Sequence, residues 1–537
     1  MPRTSSATPI AVSPEREHKS HLGALFAPLD FLLTSGGDAR LKIDPVQKLN
    51  GYGCRPFPRP EAFTFASSTA TSISERAYAR AGQAREELIN ASLSLGLVEA
   101  FDERVSQMRS ELKKHFQLED ETEIVFSPSG TDSQLHALFI ARALLGTQLV
   151  SVIAAADQTG SGTVHTASGC HFGDRTAQGV AVEKGSPISG LVADDASIGI
   201  SLSDENGIPC SLDAIDAAIV DAVSKAIENG NKVLLQIMNS SKLGWSAPSR
   251  NCVKKICARW PDAVQIIVDA CQMRLSPARI KHHLDCGHMV LATGSKFFTG
   301  PPFSGALLVP GEISRRLEDM SNIPLGLHAY TNRYDWPKRW RGIRDQLPTT
   351  PNFGQWLRWE AALEEIRAYR SVPASFRHSA FERFATAVTQ IIASAPSLKP
   401  IPSPHTEPAD EIDDGEMALA KIFPFTLRHD GEVLSFDDCT KIYRALNRDM
   451  SHLLPANAPD TEKPLAAQPC HIGQPVALRI NGRPTAVLRI SAGARIVSET
   501  WSSDENMADE NIRREIEQVA IICRKIEFLL KHLHGLS

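Results

Sequence analysis

The sequence predicts an α/β protein: a mostly parallel sheet sandwiched by helices, followed by a smaller α+β C-terminal domain. Three observations carry that expectation. Short apolar runs alternate with helical patterns from about residue 120 to 310, as in strand–helix–strand units. Several of those runs stop at polar residues, where open α/β sheets place their ligand contacts. Beyond a Pro, Asp and Glu-rich stretch at 399–416, strand and helix patterns resume on a smaller scale.

The central stretch runs from Cys286 to Val309. Apolar Met289 to Ala292 ends in Thr293-Gly294-Ser295; Lys296 follows, then Gly300-Pro301-Pro302 and a second apolar run, Gly305 to Val309. This reads as strand, polar turn, lysine, Gly/Pro loop, strand. A lysine wedged between buried strands is costly unless its amine is paired or chemically used. A Schiff-base role for Lys296, with the Thr293 and Ser295 hydroxyls on a phosphate, meets that condition. Alone, the stretch also fits a surface lysine in a loop.

Two further motifs lie upstream. Val264-Gln-Ile-Ile-Val-Asp269 reads as a buried strand ending in a carboxylate, with Gln272 just beyond. Asp269 suits a pyridine nitrogen that has to stay protonated, and Gln272 a ring hydroxyl; a turn-capping Asp is the other reading. Glu123 to Ser127 is a short strand, followed by Ser129-Gly130-Thr131 and an amphipathic helical pattern to Leu145. A helix N-terminus after a small-residue turn is a phosphate seat, and equally an ordinary N-cap.

Taken together and in this order, the motifs resemble those of fold-type I pyridoxal 5'-phosphate (PLP) enzymes. The closer resemblance is to the class V aminotransferase and cysteine desulfurase branch. That branch carries Ser-Gly-Thr, then Asp-x-x-Gln, then Ser/Thr-Gly-x-Lys followed by Gly-Pro, and the resemblance spans roughly residues 60 to 535. It implies the aspartate aminotransferase-like fold with a seven-stranded type of sheet, PLP as cofactor, a Lys296 aldimine and a homodimer. Lys296 and Asp269 are then the catalytic pair. Ser129, Gly130, Thr131, Gln272, Thr293 and Ser295 join them around the cofactor.

The resemblance also assigns residues between and beyond these motifs. Asp157 to Thr163 occupies the slot of a residue stacked on the cofactor ring. Gln158 and Thr159 are the expected occupants; desulfurases have histidine there, whereas His165 and His171 are out of step. Asn239, at the end of the Lys232–Met238 strand, stands near the cofactor, or Ser241 does if the register shifts. Arg489, alone in the apolar Val487–Ile490 run, suits bidentate capture of an amino acid carboxylate. Tyr52 and Ser68, in a Gly/Pro-rich N-terminal segment, are candidate substrate contacts. Cys470, in Cys470-His-Ile-Gly-Gln-Pro475, lies near the place of the desulfurase nucleophile, although its flanking residues differ; an inert core cysteine is the alternative.

The expected organisation is an N-terminal tail and arm over 1–60 and a large domain over 61–325. An interface or active-site loop follows over 326–355, then linking helices and the small domain over 356–537. The 326–355 segment holds Tyr330, Tyr334, Trp336 and Trp340 among several arginines, a composition suited to a dimer interface. Net charge is −5 without a long basic run, so no nucleic acid partner is implied, and no stretch of 18 apolar residues implies a membrane span. The polar segment Met1 to Ser20 lacks a signal-peptide core. The ten cysteines form no Cys-x-x-Cys pair, so neither metal nor disulfides are expected and the cytoplasm is the expected compartment.

These readings give a PLP-dependent enzyme acting on an amino acid or amine, with transamination preferred. The alternatives are a C–S lyase or desulfurase-like enzyme using Cys470, and a non-catalytic scaffold subunit of the same fold.

Overall fold

The computed structural model describes residues 22–191, 197–404 and 411–536. The expected N-terminal tail, and residues 405–410 of the expected 399–416 loop, lie outside the described residues.

Strand β1 (Phe63–Phe65) stands apart from the seven that follow it in the chain. Those are β2 (Glu123–Ser127), β3 (Leu149–Ala154), β4 (Ser197–Ile200), β5 (Lys232–Met238), β6 (Val264–Asp269), β7 (Met289–Thr293) and β8 (Gly305–Val309). They form one sheet in the order β2-β8-β7-β6-β5-β3-β4. All neighbours are parallel except β8, which runs antiparallel to both β2 and β7. Every residue of β2, β3, β7 and β8 is buried. Burial on both faces explains why these strands read as continuous apolar runs. Edge strand β4, half-exposed, has no such run and gave no signal.

The helix Gly130–Leu145 is buried on every side from Thr131 to Ala141. An amphipathic helix is expected to leave one face wet; here segment 325–347 covers it. Trp336 and Trp340 are fully buried, and Trp336 packs on His136 and Phe139 at ring distances of 5.1 and 5.7 Å. The buried aromatic residues of this stretch therefore form an internal cover on this helix.

Helix Phe353–Ser371 runs through the interior and buries Arg358, Glu360 and Glu365. Each is satisfied: Glu360 by Arg104 and Arg80, Glu365 by Arg76, Arg495 and Ser74. Arg358 donates to the carbonyls of Leu33, Ser35, Gly36 and Phe303, which pins the N-terminal segment to the body.

A second sheet contains β9 (Leu398–Pro400), β10 (Ile422–His429), β11 (Glu432–Val433), β12 (Cys470–Ile480) and β13 (Arg483–Ser491). Its order is β1-β12-β13-β10-β11, with β9 beside β10. Strand β1 lies parallel to β12 in the register Phe63↔Cys470, so Phe63–Phe65 belongs to the smaller sheet and not to the larger domain. Its Phe65 is buried against Phe384 at 5.6 Å. No described helix is long and apolar enough to cross a membrane.

Candidate active site

Parallel strands all end on one edge of a sheet, and β2 points the same way as β7. The motifs that follow β2, β6 and β7 therefore converge. They border a cavity of about 200 Å³ that includes Ser129, Gly130, Thr131, Asp269, Thr293, Ser295 and Lys296. Arg489, Tyr52 and Ser68 complete it from the smaller sheet and the N-terminal segment.

The N-terminal end of helix Gly130–Leu145 supplies one wall. Ser129 caps it, accepting from the Asp132 N–H at 3.3 Å and donating to the Asp132 carboxylate at 2.5 Å. Gly130 is required by close approach, because a Cβ there would sit 2.6 Å from Cys271 Sγ. Burial, reinforced by Asp38, pushes the Asp132 carboxyl up to about 7 against the pull of Ser129 and Arg40. Arg40 reaches this wall from the N-terminal segment, 3.3 Å from Ser129 Oγ and 3.5 Å from Thr131 Oγ1. Its guanidinium clasps Asp38 and lies 4.7 Å over the Phe303 ring. Burial disfavours its charge, but Tyr52, Asp38 and Asp132 outweigh burial and hold it protonated. A lone arginine in a loop gave no sequence signal.

Asp269, at the end of β6, accepts from the Cys271 N–H at 3.1 Å and from Gln236 Nε2 at 3.4 Å. Gln272 turns away from the cavity. Its Nε2 donates to Ser68 O at 3.0 Å and its Oε1 accepts from Arg274 at 2.7 Å, tying the N-terminal segment to this turn. Thr293 lines the cavity while its hydroxyl donates to Cys271 O at 2.7 Å. The Ser295 hydroxyl and the Lys296 amine also face the cavity and hydrogen-bond to no described residue. Phe303, which borders the cavity, is a non-glycine residue with a positive φ of 72°. Backbone strain of that kind gathers where geometry is imposed by function.

Arg489 is buried on β13. Its Nη2 donates to Thr69 Oγ1 at 2.9 Å, while Nε and Nη1 have no described partner. Burial pulls it down to about 10. A buried guanidinium with two open donors is costly unless an anion meets them.

Several expected residues stand elsewhere. Thr159 does not line the cavity; Gly160, Ser161 and Thr163 of the same loop do. Gln158 is engaged by Ser241, and His171 by the Tyr330 hydroxyl at 2.6 Å. Neither histidine borders the cavity. Asn239 is half-buried beside the end of β6, where its N–H donates to Asp269 O at 3.2 Å, and its side chain is outside. Lys242, three residues on, occupies the cavity wall instead. Burial, with Arg489 and Lys296 nearby, pulls that amine down to about 8 against the attraction of Asp269. Cys470 is the first residue of β12, fully buried and outside the cavity, and burial pushes its thiol up to about 12. A nucleophilic cysteine needs the opposite surroundings.

No protein-family profile matches the chain, and no curated protein sequence matches it. Among solved structures it is similar to Oryza sativa TDC with PLP and tryptamine, at 15% identity over 95% of this chain and 90% of that one, with a TM-score of 0.46. It is also similar to Catharanthus roseus tryptophan decarboxylase in complex with L-tryptophan (14% identity, 96% and 90% covered, TM-score 0.48). A third is the cystine C-S lyase C-DES in complex with cysteine persulfide (12% identity, 85% and 98% covered, TM-score 0.46).

Proposed function

We propose that this chain is a fold-type I PLP-dependent enzyme acting on an amino acid, and that its reaction is transamination. The observation that carries the reading is one cavity bordered by an unpartnered lysine amine (Lys296), a strand-end carboxylate (Asp269) and a glycine-bearing helix N-terminus. The donor set fits the cofactor. Lys296 would hold its aldehyde carbon, Asp269 its ring nitrogen, and Ser129, Gly130, Thr131 and Ser295 its phosphate, with Arg40 adding charge at that wall. When bound, PLP supplies an electron-withdrawing ring that weakens the bonds at the substrate's α-carbon.

The chain's own residues then bind the substrate and move its proton. Arg489 turns its open guanidinium N–H groups on the α-carboxylate, which fixes the orientation of the α-carbon. Lys296 Nζ takes the α-proton and returns it one step later. Tyr52 and Phe303 help keep water from that atom. Transamination is favoured over a desulfurase-type reaction, which needs a cysteine nucleophile, because no thiol suited to attack borders the cavity among the described residues. Cys470 is remote, and burial together with Asp269 raises Cys271 well above the ordinary thiol range. A homodimer and a cytoplasmic location belong to the same proposal; the ten free cysteines support the reducing compartment.

The test is the absorption spectrum of the purified chain with PLP, titrated with a panel of amino acids. The expected result is a visible band, converted by substrate to the aminated cofactor with release of a keto acid. Release of sulfide or carbon dioxide would replace transamination with that reaction. No visible band after PLP is added would favour the scaffold alternative.

A further inference from the structure

We infer that Lys242 is a second anion-binding group of this site, and that the substrate is an amino acid with an acidic side chain. The inference rests on the proposed cofactor site and adds the substrate class to it.

The charges around the cavity are unbalanced. Four cations border it, Arg40, Lys242, Lys296 and Arg489, against one carboxylate, Asp269. Arg40 is paired with Asp38 and, in the proposed reading, faces the cofactor phosphate. In the proposed reading Lys296 serves the cofactor and Arg489 the α-carboxylate. Lys242 is left over. Its half-buried amine makes no hydrogen bond or ion pair with any described residue. A cation held beside two other cations, partly shielded from water, raises the energy of the empty site and is relieved by a bound anion.

The loop that carries Lys242 is built to hold it still. Ser241 is buried; its hydroxyl accepts from the N–H groups of Leu243 and Trp245 at 3.2 and 3.1 Å and donates to Gln158 at 2.7 Å. Ser241 N–H donates in turn to Trp245 O at 2.7 Å, and the Trp245 side chain is buried. The loop also abuts the smaller sheet: a Cβ on Gly244 would lie 3.7 Å from Ile422 Cβ. Ile422 pairs with Ser491, two residues along β13 from Arg489. Lys242 and Arg489 thus come from two different sheets to one cavity, a pair of separated anion contacts suited to a dicarboxylate.

The experiment is calorimetric binding of succinate, glutarate and butyrate to the wild type, Lys242→Gln and Lys242→Arg, each with and without PLP. The wild type is expected to bind one of the dicarboxylates at least about tenfold more tightly than butyrate. Lys242→Gln is expected to lose that preference while keeping its affinity for butyrate and its PLP band, and Lys242→Arg to retain the preference. Equal affinities in the wild type, or a preference that survives in Lys242→Gln, would overturn the inference. Loss of the PLP band in Lys242→Gln would also overturn it, by assigning Lys242 to the cofactor. Failure of the wild type to bind PLP would sink the proposed function alone, since the dicarboxylate preference is read without cofactor as well.

Discussion

The Ser241 hydroxyl donates a 2.7 Å hydrogen bond to Gln158 Oε1, joining the loop after β5 to the loop after β3 across the edge of the sheet where the cavity opens. Both residues are buried, and Gln158 Nε2 already lacks a described partner. Ser241→Ala would strand the second polar atom of that amide and two backbone N–H groups. The expected cost is about 1–3 kcal/mol in chemical denaturation, with a loss of order in the Lys242 loop visible as faster amide hydrogen exchange.

Lys296→Ala is expected to bind PLP without a covalent link. Borohydride reduction followed by mass spectrometry should fix the cofactor on the Lys296 peptide of the wild type and nowhere in the variant. Label on a different lysine, Lys242 included, would refute the assignment.

Arg489→Lys keeps the charge and loses the guanidinium donors. With two open donors replaced by one point charge, KM for the amino acid is expected to rise about tenfold to a hundredfold, with a smaller change in kcat. A fall in kcat at unchanged KM would show that Arg489 acts on the chemical step instead.

Asp132 links stability to pH. Its folded-state value of about 7 lies above the ordinary 3.8, so between about pH 4 and 7 the folded chain keeps a proton that the unfolded chain has released. Stability from this group is therefore highest at the acidic end and falls as pH rises, by at most about 1.4 kcal/mol per pH unit. Asp132→Asn should flatten that slope in denaturation curves measured across the window.

Trp336→Ala removes a fully buried ring from the cover of helix Gly130–Leu145. The expected loss is about 3–5 kcal/mol of stability. Oligomeric state, measured by sedimentation, should not change, because the ring packs inside its own chain.

Much of the larger sheet was legible because buried parallel strands are unbroken apolar runs; β5 and β8 begin and end where the sequence suggests. The convergence of Ser129, Asp269 and Lys296 was legible for a related reason, since residues just past parallel strands share an edge. Arg40 and Lys242 were not legible. Each is a single charge in a loop, and its place depends on distant anchors, Arg358 for the arm and Gln158 for the turn. The choice between a loop nucleophile and a core residue at Cys470 stayed open because Gly473 and Pro475 look like loop residues; the structure absorbs them in a register shift within β12. The aromatic stretch was ambiguous, because Trp and Tyr suit an interface and a core equally. The unbroken burial of Thr131 to Ala141 shows that a second layer had to cover that helix.

The pairing of β1 with β12 has a consequence for how the molecule is made. Phe63 leaves the ribosome early and its partner, Cys470, only after most of the chain has followed. Until then the aromatic edge of β1 has no strand beside it, and the cavity lacks Arg489. The nascent chain is thus committed to a long-range closure, the slow kind that exposes intermediates to aggregation. A product terminated before β12 and β13 has neither Arg489 nor the sheet on which its own β1 rests.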